Sequence, residues 1–224
     1  MLTNYGDIRT TVKRALRMAG RNTSEVTLVA VSKTVGIIEV DDAIHQGATD
    51  FGENRPEMLA MKSKQFPHQN WHFIGNIQSR QIKHIVNSAC LIHSLSKLKH
   101  AEKIDHAAKE LGKVQHVLVQ VNVSGEESKS GLTEHELPYF MEECLRFENI
   151  SIDGLMTMAP IDDEAHAFLP SPSEVFERAQ DLLQKTQTYM PPNFKQLSAG
   201  MTDDWQEAIK YGSTIVRIGR AIFA

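Results

Sequence analysis

The feature that most constrains this chain is an alternation of two kinds of segment. Short apolar runs recur at TLVAVSK (27–33), TDFGEN (49–54), NWHFIG (70–75), CLIHSLS (90–96), HVLVQVNV (116–123), SIDGLMT (151–157), FKQLSAG (194–200) and STIVRIG (213–219). Stretches of helical character lie between them, among them EVDDAIHQG (39–47), KLKHAEKIDHAAKELG (97–112), EHELPYFMEECLRF (134–147), SEVFERAQDLLQKTQTYM (173–190) and DDWQEAIKYG (203–212). Short apolar runs of this kind read as strands buried on both faces, and strands that alternate with helices form a parallel sheet. Eight such repeats close the sheet into a (β/α)8 TIM barrel, an α/β fold for which 224 residues is an ordinary length. No GxGxxG follows the first strand, which weighs against an open doubly wound sheet.

Residues 3–20 read as an amphipathic helix, with Ile8, Val12, Ala15, Leu16 and Ala19 on one face and Gly20 as the stop. The sequence stops five residues after RIG, so strand eight is expected to lack a helix of its own. The N-terminal helix is expected to cover that gap, and residues 1–224 are expected to form one domain. The longer connections at 122–132 and 159–173 are polar or Pro-rich and read as surface or mouth loops. The acidic run Asp162, Asp163, Glu164 reads as a solvated face.

Composition narrows the classes. Apolar residues make up 41% and charged residues 23%, values of a globular chain with a sizeable core. A formal charge of −4, with Lys and Arg dispersed, is not the footprint of a nucleic-acid binder. No apolar run is long enough to span a bilayer, and the N-terminus lacks the apolar core of a signal peptide. Cys90 and Cys144 sit in apolar contexts without a CxxC and read as two buried thiols, so the expected compartment is the cytoplasm. No histidine pair has metal-site spacing, and HExxH is absent.

In a parallel barrel the active site lies at the C-terminal ends of the strands. Here those ends carry Lys33, Asn54, Ser198, Gly200, Arg217 and Gly219. Lysines at strand ends are ordinarily structural. A lysine bordering an apolar interior, however, loses hydration; this favours the neutral amine, a nucleophile suited to forming a Schiff base. Two further features tip the balance. The loops after strands seven and eight of such barrels often bind phosphate, and here they read LSAGMTDD and RIGRA. They offer a Ser198 hydroxyl, the backbone at Gly200 and Met201, a close-approach glycine at Gly219 and the charge of Arg220. A helix cap at Thr202 or Asp203 is compatible with this use. Arg217 lies between Val216 and Ile218 in an apolar strand, where an arginine needs a partner, either a buried carboxylate or a ligand. Lysine, anion cradle and arginine together describe pyridoxal 5′-phosphate: aldehyde at Lys33, phosphate at Ser198, Gly200, Met201, Gly219 and Arg220, pyridine nitrogen at Arg217.

At these residues the chain resembles the pyridoxal-phosphate homeostasis protein family, single-domain relatives of the barrel half of bacterial alanine racemase. The resemblance rests on VAVSK (29–33), FGENR (51–55), WHFIGNIQ (71–78), GLMTM (154–158), LSAGMTDDWQEAI (197–209) and GSTIVRIGRAIF (212–223) and covers essentially the whole chain. It implies pyridoxal phosphate on Lys33, phosphate contacts at Ser198, Gly200, Met201 and Gly219, Arg217 at the pyridine nitrogen and Asn54 near the ring. It leaves the role of His72 open. The chain departs from the family pattern at Arg220, where a small hydroxyl residue is usual, at Ser79-Arg80 after GNIQ, and at Pro56-Glu57 after FGENR.

Arg217, being always charged, would keep a ring nitrogen unprotonated, which disfavours transamination. Racemisation needs a second base, supplied in alanine racemases by a tyrosine of a separate domain. Tyr5, Tyr139, Tyr189 and Tyr211 all read as helical and away from the mouth. The expectation is therefore a non-catalytic carrier that buffers pyridoxal phosphate or delivers it to apoenzymes, with a fold type III racemase using an unidentified second base as the alternative and a monomer as the default state.

Overall fold

The computed structural model describes residues 2–126, 129–160 and 168–224. The acidic run at 162–164 lies outside them. Eight parallel strands form a closed barrel in chain order: β1 (Thr27–Val31), β2 (Asp50–Glu53), β3 (Asn70–Phe73), β4 (Leu91–Leu95), β5 (Gln115–Gln120), β6 (Ile150–Met156), β7 (Gln196–Ser198) and β8 (Ile215–Ile218), with β8 paired back to β1. The helices are α1 (Tyr5–Met18), α2 (Ile37–His45), α3 (Pro56–Gln65), α4 (Ile82–Ser88), α5 (Leu98–Glu110), α6 (Leu137–Cys144), α7 (Pro172–Gln187), α8 (Trp205–Lys210) and α9 (Arg220–Phe223). The (β/α)8 expectation holds.

Every strand stops short of its apolar run. β1 ends at Val31 and Lys33 already lies in a turn, because the chain must leave the ladder to reach α2. One expectation is corrected: strand eight does have a helix, the single turn α9, which follows Gly219 as its N-cap and buries Ile222. α1 still covers this position. It packs on α8, α9 and β1, and the Asn4 N–H donates to Ile222 O at 2.8 Å.

Side chains alternate across a strand, so a barrel has two cores. The larger lies between strands and helices and includes Ala30, Phe51, Trp71, Phe73, Ile92, Val117, Leu197, Val216 and Ile218. The interior holds a separate and much smaller apolar cluster, Val29, Leu118, Met156 and Ile215. The same inward parity carries Asp50, His72, His93, Ser198 and Arg217, so the barrel is filled in part by polar groups.

Candidate functional site

The mouth begins at β1 and β2. Ser32 and Glu53 are fully buried, and the Ser32 hydroxyl donates to Glu53 Oε1 at 2.6 Å. Lys62, from α3, is also fully buried. Its ammonium donates to Glu53 Oε1 at 2.6 Å, to Ser32 O at 2.8 Å and to Val35 O at 2.9 Å. Lys62 thus clamps the turn that carries Lys33. The two lysines differ in kind: one is enclosed by three acceptors, whereas Lys33 is exposed. The loss of hydration expected for Lys33 is absent, because the strand ends two residues earlier. Its amine is open to a ligand.

β7 and β8 supply the other side. Arg217 is buried, and its Nη1 donates to Ser198 Oγ at 2.5 Å while its Nη2 donates to Thr157 O at 3.1 Å. Burial brings its pKa down to about 10 against the upward pull of Asp204, leaving it charged at neutral pH. Among the described residues no carboxylate forms the ion pair with it considered from sequence. Ser198 is bonded in turn to the Nδ1 of His93 at 2.9 Å, His93 Nε2 lies 2.9 Å from His72 Nδ1, and His72 Nε2 lies 3.1 Å from Asp50 Oδ1.

After β7 the chain turns through Gly200 at φ +94°, where an added Cβ would lie 2.7 Å from Ala208 Cβ and 2.8 Å from Trp205 Cα. Only glycine admits both that backbone and the close approach of α8. The Met201 N–H donates to Asp204 Oδ1 at 2.5 Å, and burial pushes the Asp204 carboxyl up. Gly219 needs no unusual φ; its place is set by contact, since an added Cβ would lie 3.2 Å from Val31 O. That contact brings the end of β8 beside the turn of Lys33. Asn54 is exposed at the end of β2, and an added Cβ at Gly75 would fall on its carbonyl oxygen.

Lys33, Ser198, Gly200, Arg217 and Gly219 are therefore gathered on the β7–β8–β1 side of the mouth, with Asn54 adjoining on β2. Arg220 is not brought in: its exposed guanidinium pairs with Asp203. Of the tyrosines, Tyr5 and Tyr139 are helical, whereas Tyr189 and Tyr211 lie in turns just after α7 and α8. Of the two thiols that read as buried from sequence, Cys144 is buried whereas Cys90 is exposed. Sequence reasoning missed Lys62, His93 and Asp50. The available signal was parity: His72 and His93 share the inward register of their strands.

Fold and mouth define the class: a closed parallel barrel with an exposed lysine after strand one and a buried arginine on strand eight. The profile described as alanine racemase, N-terminal domain, matches residues 4–224. The pyridoxal phosphate homeostasis protein of Pasteurella multocida is 34% identical, covering 98% of this chain and 95% of that one. The protein of the same name from Aquifex aeolicus is 33% identical, covering 95% and 92%. Among solved structures, PipY of Synechococcus elongatus, determined with PLP bound, superposes with a TM-score of 0.81 at 27% identity, covering 95% of this chain and 99% of that one. A Clostridium difficile alanine racemase shares the fold, with a TM-score of 0.71 at 14% identity, over 55% of its length. The chain belongs to the pyridoxal phosphate homeostasis protein family, within the alanine racemase N-terminal barrels.

Proposed function

We propose that this protein binds pyridoxal 5′-phosphate reversibly at the barrel mouth and serves in its homeostasis, with Lys33 as the point of covalent attachment. One observation carries the reading: the Arg217–Ser198 pair, joined at 2.5 Å, links β8 to β7, and β8 closes against β1, the strand that leads into Lys33. The names of the relatives and the bound ligand of PipY support it.

The donor set fits the group. The cofactor supplies an aldehyde that condenses reversibly with a primary amine and releases water, and Lys33 offers an accessible amine. Arg217 would present a cation to the pyridine nitrogen, and Asn54 would border the ring. Ser198 and the backbone at Gly200, Met201 and Gly219 would hold the phosphate. The Met201 N–H becomes available once Asp204 releases it. Arg220 is left out of the set because Asp203 holds it.

The role is that of a carrier. No tyrosine stands opposite Lys33 among the described residues, which argues against a second base. We place the protein in the cytoplasm, as a monomer that exchanges the cofactor with apoenzymes.

The test is absorbance with added pyridoxal phosphate, followed by borohydride reduction and peptide mapping. Label on Lys33, with loss of the visible band in Lys33→Ala, is the expected result. Label on another lysine, or no band, removes the proposal. Deuterium exchange at Cα of an added amino acid is expected to be absent; its presence would favour a racemase.

A further inference from the structure

The barrel interior contains a line of polar side chains that cofactor binding does not require. It runs from Asp50 at the start of β2, partly open to solvent, through His72 on β3 and His93 on β4 to Ser198 and Arg217 on β7 and β8. His93 is fully buried and His72 nearly so.

The order of protons along this line follows from the end groups. Asp50 Oδ1 is a carboxylate oxygen that also accepts from Asn70 Nδ2 at 3.1 Å, so His72 Nε2 must donate to it. Arg217 Nη1 can only donate, so it takes one lone pair of Ser198 Oγ. An arrangement with the imidazolium on His93 would set that charge away from Asp50 and toward Arg217, with only Ser198 between them, and is disfavoured; two others remain for the middle. In the first, His72 carries both ring protons, Nδ1–H donates to His93 Nε2, and His93 Nδ1–H donates to Ser198 Oγ. Both lone pairs of Ser198 are then filled and its hydroxyl proton must go to an acceptor elsewhere; among the described residues none takes it. In the second, His72 is singly protonated, His93 Nε2–H donates back to it, and the Ser198 hydroxyl donates to His93 Nδ1.

We infer that Asp50, His72 and His93 are positioning residues that hold the relay in the first arrangement and so make the Ser198 hydroxyl an obligate donor toward the mouth. The site then presents donors only, from Ser198 and Arg217, and selects a ligand with acceptor atoms there. This rests on the cofactor reading above. Burial pushes His72 down, but the hydrogen bond to Asp50, a contribution from Cys90 and the charge of Asp50 outweigh it and carry it up to about 9. Burial, with the charges of His72 and Arg217, holds His93 well below its usual range. One ring is therefore charged and the other neutral, as the first arrangement requires. The groups facing the pair are Asp50 from β2, Cys90 ahead of β4, and Ser198 and Arg217 from β7 and β8. Removing one proton converts the first arrangement to the second. The proton between the rings passes from His72 Nδ1 to His93 Nε2, His93 Nδ1 releases its own to solvent, and the Ser198 hydroxyl rotates to fill the vacated acceptor.

The experiment is histidine ¹⁵N NMR on the ligand-free protein. At neutral pH, His72 is expected doubly protonated and His93 as the neutral Nδ1–H tautomer. On raising the pH, both residues are expected to change in one titration, His93 becoming the Nε2–H tautomer. A neutral His72 at pH 7, or a His93 that keeps its tautomer while His72 titrates, overturns the inference. In Asp50→Asn the substituted side chain keeps an amide oxygen facing His72 Nε2 but loses the charge, so that variant is expected to adopt the second arrangement at neutral pH. It should bind pyridoxal phosphate about tenfold more weakly in a wild-type background and no more weakly in a Ser198→Ala background. A folded Asp50→Asn with unchanged affinity also overturns it. Failure of the wild type to bind the cofactor would remove the functional proposal while leaving the NMR result standing, so the two are separable.

Discussion

At the scale of the residue, the mouth depends on a buried ion pair that is itself expensive. Lys62 and Glu53 are both fully enclosed, and Glu53 Oε2 has no hydrogen-bond partner among the described residues. Desolvating two charges costs more than their attraction returns unless further hydrogen bonds help, and here Ser32 and Val35 supply them. Removing one partner strands the other. Lys62→Met is expected to lower unfolding free energy by about 3–5 kcal/mol in urea denaturation. Lys62→Met combined with Glu53→Gln is expected to recover part of that loss. If the double variant is as unstable as the single, the pair is not the source of the effect. Arg220→Ala is expected to leave cofactor affinity within about twofold in the absorbance titration, since an exposed pair like Arg220–Asp203 contributes little.

Among the elements, the short helices carry the site and the long ones carry stability. α8 is brought so close to the end of β7 that Gly200 has no room for a methyl group. Gly200→Ala is expected to cost about 1–3 kcal/mol through its positive φ and the displaced helix, and to weaken cofactor binding in the same titration. α7 offers the contrast. Its first turn is closed by a capping box in which the Ser171 N–H donates to Glu174 Oε2 at 2.8 Å. Ser171→Ala is expected to cost about 1 kcal/mol with affinity unchanged. Equal effects of the two variants on binding would contradict this division of labour.

Across the whole molecule, the polar filling of the barrel ties stability to pH. His72 is raised on folding from 6.5 to about 9, so the stability it contributes is fully present below 6.5 and is lost as the pH climbs toward 9. His93 is lowered from 6.5, so its contribution is present above 6.5 and is lost as the pH falls below it. The two limbs give a maximum slightly acid of neutral or at neutral. Thermal denaturation from pH 5 to 10 is expected to trace that dome, and His72→Gln to flatten its alkaline limb. A wild-type Tm that keeps rising above pH 8 would show that the charged imidazole is not buried as described.

Much of this was legible before folding is considered, because barrel strands and their crossover helices are local patterns. Eight short apolar runs spaced by helical stretches suffice to specify the fold, and a period of two along STIVRIG suffices to turn Arg217 and Gly219 to the same side. Lys33, Ser198 and Gly200 were found the same way, as polar or permissive residues at the ends of apolar runs. What the sequence by itself determined was thus the barrel and the residues at its rim. Only the tertiary structure decided that Lys33 is open and Lys62 enclosed, that Arg220 is held away by Asp203, and that α9 follows β8. It alone joined His93 to Ser198, 105 residues further along the chain. The physical reason is closure: bending the sheet into a ring brings opposite strands within hydrogen-bonding distance across the interior, and no local periodicity records which side chains then meet.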